Sequence, residues 1–181
     1  MFSVFPLYDL DNDSFRVQQL NPEGVEMVPL PGDIHLDALA SQSDADVRNW
    51  LDGQIESTSC VVVFIGENTA GRRWITYVIG KARELGKPMV GVAIHALADE
   101  NGAQANAGES PFANSGMSAR ALSQIETYSP AFATSVFVRS HIRYGLGDWI
   151  AAAVREHQRA QPGRSRRQAG LGAKRSSENT G

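Results

Sequence analysis

Cys60-Val61-Val62-Val63-Phe64-Ile65, Gly66-Glu67-Asn68-Thr69-Ala70-Gly71, then Trp74, Ile75, Val78, Ile79 and Ala82 at helical spacing, then Met89-Val90-Gly91-Val92-Ala93-Ile94: this stretch decides the fold. The first run is apolar at every position. A strand with no polar face belongs in the middle of a parallel sheet covered on both sides. The glycine-bearing segment 66–71 breaks the pattern as a loop. Residues 74–82 then place their apolar side chains on one helical stripe. Leu85-Gly86 closes the helix, because glycine takes the left-handed position after a helix without strain, and Pro88 prevents continuation. Met89–Ile94 is a second buried strand. Strand, helix, strand within about thirty residues is a βαβ unit.

Working outward, Ser43 or Asp44 caps a helix whose buried stripe is Val47, Trp50, Leu51 and Ile55. Residues 2–8 read as an opening strand. Asp13 or Ser14 is expected to cap a short helix through Phe15, Val17 and Leu20, and 24–30 to hold a further strand. Residues 31–43 take no assignment. Toward the other end, 96–118 reads as a long functional or mobile loop. Ser135–Val138 reads as a late edge strand. Gly147-Asp148 is expected to open a last helix through Trp149, Ile150, Ala153 and Val154.

The chain of 181 residues suits one domain over 1–158 and a basic tail over 159–181. From residue 160 onward Arg164, Arg166, Arg167, Lys174 and Arg175 face Glu178 alone, a surplus of four positive charges. With −3 overall, the remainder carries −7. The tail is poor in apolar residues and is expected to be disordered. It lacks the interleaved aromatics of single-strand binding, so a nucleic-acid partner is not expected. No apolar run approaches a membrane span, and the start shows no basic-then-apolar leader, so the expected location is cytoplasmic. The one cysteine, Cys60, lies in a buried run with no base beside it and reads as core.

Three groups carry candidate chemistry. Gly66–Gly71 leaves the carboxyl end of a parallel strand and enters a helix N-terminus, where ligands and phosphates bind. Arg72 and Arg73 add charge. The loop lacks the Gly-Lys-Ser/Thr ending of a P-loop, and a plain βα turn with solvated arginines explains it equally. Tyr8, Asp9, Asp11 and Asp13 follow the first strand and read as a ribose or cation contact, or as a solvated turn with a cap. No metal is expected, since no histidine accompanies them. His95 ends the 89–94 strand at the same sheet edge, as a proton-transfer group or a loop anchor. His35, His141 and His157 show no ligand spacing.

Val47-x-x-Trp50-Leu51-x-x-Gln54-Ile55, Thr58 through Gly66, Thr69-Ala70, Arg73-Trp74-Ile75-x-Tyr77, and Gly86-Lys87-Pro88-x-Val90-Gly91-Val92-x-Ile94-His95 together resemble the bacterial and archaeal TIR-like family that includes the Thoeris antiphage proteins. Phe2–Tyr8, Asp9, Phe15-Arg16-Val17 and Leu146–Ile150 fit the same pattern. The resemblance implies a flavodoxin-like α/β sheet with helices on both faces. It implies NAD⁺ as substrate rather than as cofactor, cleaved between nicotinamide and ribose to an ADP-ribose-type product, possible self-association or a defence effector as partner, and a pocket of Phe5, Tyr8, Asp9, Gly66, Trp74 and Tyr77. The family's catalytic glutamate lies four residues beyond the tryptophan. Here that residue is Val78. Glu67 is the best substitute carboxylate, with Asp9 or Asp11 as others. Glu84 is six residues too far along the helix. The alternative is an inactive TIR scaffold, and a generic nucleotide-binding module is a third reading.

Overall fold

The computed structural model describes residues 1–28 and 43–160. In chain order these form β1 (Phe2–Leu7), α1 (Leu10–Gln18), β2 (Val25–Met27), α2 (Asp44–Ser57), β3 (Cys60–Ile65), α3 (Arg73–Glu84), β4 (Met89–Ala93), α4 (Ala119–Leu122), β5 (Thr127–Tyr128) and α5 (Ser135–Ala160). The strands make one five-stranded sheet in the order β2-β1-β3-β4-β5, parallel throughout. β3 is central. Val61 stands opposite Phe5 on one side and Met89 on the other.

Period-two alternation divides β3 between two apolar layers. Val61, Val63 and Ile65 pack with Val47, Leu51 and Ile55 of α2 and Ile75, Val78 and Ile79 of α3. Cys60, Val62 and Phe64 pack on the other face with Val17 of α1 and Val138, Ile142, Leu146 and Ile150 of α5. All six β3 residues are buried, as a doubly covered strand requires. The expected α/β, flavodoxin-like architecture is therefore present. Ser43 caps α2 as expected, its Oγ accepting from Asp46 N. Gly86 has φ +64° after α3, the conformation expected of it.

Three expectations are corrected. α1 starts at Leu10 and is capped by Asp9, whose Oδ1 accepts from Asp11 N. Asp13 and Ser14 lie inside the helix, Asp13 buried in its first turn. Ser135–Val138 is not an edge strand but the start of α5, and the edge strand is Thr127–Tyr128. Gly147 and Asp148 do not open the last helix; both lie in its interior. The Val-Phe-Val run suits a strand locally. The four-residue repeat Val138, Ile142, Leu146, Ile150 buries one helical stripe and decides the matter. The readings of Pro29, of 31–42 and of the tail beyond Ala160 lie outside the described residues. Among the described residues, no helix is long and apolar enough to cross a membrane.

Candidate functional site

β1 and β3 are neighbours in the sheet, and the helices that follow them pack on opposite faces. That reversal marks the topological switch point at the strands' carboxyl ends, the crevice position where open α/β sheets take ligands. Asp9 ends β1 there. It is buried, and its Oδ2 accepts from Asn12 Nδ2 at 2.7 Å and from Arg72 Nη2 at 2.8 Å. Arg72 also stands 3.5 Å from Asp11 Oδ2. This arginine ties the loop after β3 to the loop after β1. Expected either to add charge to a phosphate site or to be solvated, it is committed to two carboxylates.

The loop after β3 is set from within. Gly66 N–H donates to the Oγ1 of fully buried Thr69 at 2.8 Å. Gly71 takes φ +79°, a turn that glycine makes without strain. α3 then begins at Arg73 with no side-chain cap. Its first-turn N–H groups, with the helix dipole behind them, suit an anion.

Asp13 reaches the same crevice from α1. A Cβ on Gly66 would lie 2.1 Å from Asp13 Oδ2, so only glycine permits this approach. Asp13 Oδ1 pairs with Arg16 Nη1 at 3.1 Å. Burial raises the Asp13 pKa, with the Arg16 charge opposing. Arg16 continues into the segment after β4: its Nε donates to Leu97 O at 2.9 Å and its Nη2 to Ala103 O at 3.3 Å.

That segment lies across the strand ends. Ala105 N–H donates to His95 O, so His95 anchors the loop through its backbone. Asn106 donates to both oxygens of Glu67, from its amide N at 3.3 Å and its Nδ2 at 2.9 Å. A Cβ on Gly108 would fall 2.0 Å from Gly66 O, so the two backbones touch. Phe112, 4% exposed, pins the far end in the core.

The expected pocket residues do not all meet. Asp9 and Gly66 do, through Arg72 and Asp13. Tyr8 is half-buried on the α1–α5 face, its pKa raised by burial, whereas Phe5 is buried in the opposite layer. Trp74 and Tyr77 pack edge to face at 5.7 Å, and Tyr77 Oη donates to Asp52 Oδ1 of α2 at 2.8 Å. Arg73, stacked 4.7 Å over Trp74, pairs with Asp44. These two aromatics join α3 to α2. Glu67 is exposed, its pKa lowered by the Asn106 hydrogen bonds. Val78 has no exposed surface. The Cys60 thiol is buried and pushed up to about 12 by desolvation, so it is inert. Among the described residues no cluster of three or more His, Cys, Asp or Glu could hold a metal ion. Sequence reasoning grouped Asp13 with the carboxylates after the first strand but missed its packing on Gly66, and it missed the parts played by Arg16, Asn106 and Gly108. The glycine and asparagine content of 96–118 was the available signal.

Two comparisons bear on this arrangement. Residues 8–99, just over half of the chain, match the family model described as "Thoeris protein ThsB, TIR-like domain". A Bacillus cereus (strain MSX-D12) protein named "Putative cyclic ADP-D-ribose synthase ThsB1" is 36% identical over 70 residues, covering 39% of this chain and 36% of that protein. The match therefore spans about a third of that relative's length. The parallel sheet in the order 2-1-3-4-5 and the matched central block agree, and the chain belongs to the Thoeris ThsB TIR-like domain family.

Proposed function

We propose that this chain is a TIR-like protein of prokaryotic antiphage defence, working in the cytoplasm, that converts NAD⁺ to an ADP-ribose-type signal, cyclic or linear, at the carboxyl ends of β1 and β3. The crevice between these strands carries the reading. It joins an uncapped helix N-terminus that suits a pyrophosphate to carboxylates that suit a ribose. The similar protein's name, a cyclic ADP-D-ribose synthase, points to the same substrate class. In such a reaction the nicotinamide–ribose bond breaks and nicotinamide leaves with the bonding pair. A water, or a nucleophile on the adenosine part, then attacks the cationic ribose and loses a proton. A nearby anion stabilises the developing charge. Glu67 is a candidate for that role, because it is ionised and stands at the crevice rim. Its bonds to Asn106 must break for it to turn inward.

Fully buried Val78 favours a second reading, a TIR scaffold that assembles with copies or partners and cleaves nothing. Chromatography of purified protein incubated with NAD⁺, with and without phage lysate, separates the two. Nicotinamide release is the expected result. No release under either condition rejects the enzyme. Where release occurs, Glu67→Gln is expected to reduce it by a hundredfold or more, on the order of what loss of one transition-state contact costs. An undiminished rate removes Glu67 from the role.

A further inference from the structure

We propose that Asp13 is a second, ligand-facing carboxylate of this crevice, and that residues 103–108 form a strap that must lift before a ligand hydroxyl reaches it; this deepens the nucleotide reading and rests on it. Asp13 is 2% exposed, yet its Oδ2 has no hydrogen-bond partner. Buried polar atoms are almost always paired, and an unpaired one is costly. The local donors are already spent. Arg16 serves Asp13 Oδ1, Asn12 O, Leu97 O and Ala103 O. Asn12 Nδ2 and Arg72 Nη2 serve Asp9. The Gly66 N–H is turned to Thr69. Oδ2 instead faces the Gly66 α-carbon, against the strand end. None of these neighbours supplies a donor to Oδ2.

A carboxylate repels phosphate and accepts from hydroxyls. The chemistry that fits Oδ2 is therefore a sugar diol, with the phosphates toward the uncapped start of α3. The strap crosses the loop that Asp13 packs on. Gly108 lies on Gly66 and Glu67, Asn106 grips Glu67, and Arg16 holds Ala103. Lifting it breaks the Glu67–Asn106 bonds, so one motion frees both carboxylates.

Calorimetric titration of the full chain with NAD⁺ and with ADP-ribose tests the assignment. Asp13→Asn is expected to weaken binding about ten- to a hundredfold, the usual cost of a hydrogen bond to a charged group. Asn106→Ala, by loosening the strap, is expected to tighten binding. Wild-type binding that Asp13→Asn leaves unchanged makes Asp13 purely structural and overturns the proposal, while the nucleotide reading stands. Failure of the wild type to bind either probe overturns both. Hydrogen exchange on the wild-type chain does not depend on any variant folding. Saturating NAD⁺ is expected to speed exchange at the Ala105 and Asn106 amides, and unchanged protection there rejects the strap.

Discussion

Val78 occupies a position that the fold claims for its core. Its side chain has no exposed surface and packs with Ile75, Ile79 and Ala82 of α3 against the sheet. Valine serves the core well, and it can neither accept from a ribose nor answer positive charge. Restoring the family's carboxylate is therefore expected to harm folding before it helps catalysis. Val78→Glu buries a group with no partner and is expected to cost about 3 kcal/mol in urea denaturation. A variant as stable as the parent would show that position 78 opens toward the crevice. That residue 78 is a valine on the apolar stripe of this helix was legible in the sequence; its complete burial is seen in the structure. The burial of Asp13 against Gly66 was not legible, although Asp13 was grouped with the carboxylates that could meet a ribose. Its neighbours Gly66 and Arg16 meet it only after β1, β3 and α1 have assembled, and a run of acidic residues reads first as a solvated turn.

At the level of elements, α5 was the hardest to read. It runs unbroken from Ser135 to Ala160 through Gly145 and Gly147, residues that elsewhere end helices. The two glycines have different reasons to be there. A Cβ on Gly145 would meet the Trp149 ring at 2.7 Å, and that ring is held by stacking on Tyr128 at 4.4 Å. A Cβ on Gly147 would meet Glu23 O at 3.4 Å and Val25 Cγ2 at 3.9 Å, ordinary contacts. Gly147→Ala is expected to stabilise the protein by about 0.5–1 kcal/mol, the interior-helix cost of glycine. Gly145→Ala is expected to destabilise it, since the steric conflict exceeds that gain. Equal shifts in melting temperature for the two variants would contradict this account. By contrast, α2, β3, α3 and β4 were legible nearly to the residue. Their apolar spacing, the Ser43 cap and the Gly86 stop all agree with the tertiary packing. In α5 the local signals, a β-branched start and two glycines, oppose the long-range stripe that wins.

For the molecule as a whole, stability and site share one axis. β3 is paired on both sides, buried at every position and enclosed by two helical layers. β2 and β5 are edges of three and two residues, and neither contains a buried residue. Opening free energies follow such differences in burial and pairing. In native-state hydrogen exchange, the amides of Val62, Val63 and Phe64 are expected to exchange last, near the global unfolding limit. Those of Thr127 and Tyr128 are expected to exchange first among the strands. Comparable protection in β5 and β3 would mean that the sheet opens as one unit, and would remove the contrast. The contrast matters for function, because the crevice sits where the most protected strand ends. Gly66 and Thr69 continue directly from Ile65 and hold the loop to that rigid base. The strap over 103–108 is held by polar contacts: Arg16 donates to Ala103 O, Gln104 Nε2 to Ala96 O and Ala133 O, Ala105 N to His95 O, and Asn106 to both oxygens of Glu67, while Gly108 lies on Gly66. Those contacts join the strap to loops rather than to the buried face of the sheet, so on the proposed reading it can lift without disturbing the core that places Asp9 and Asp13.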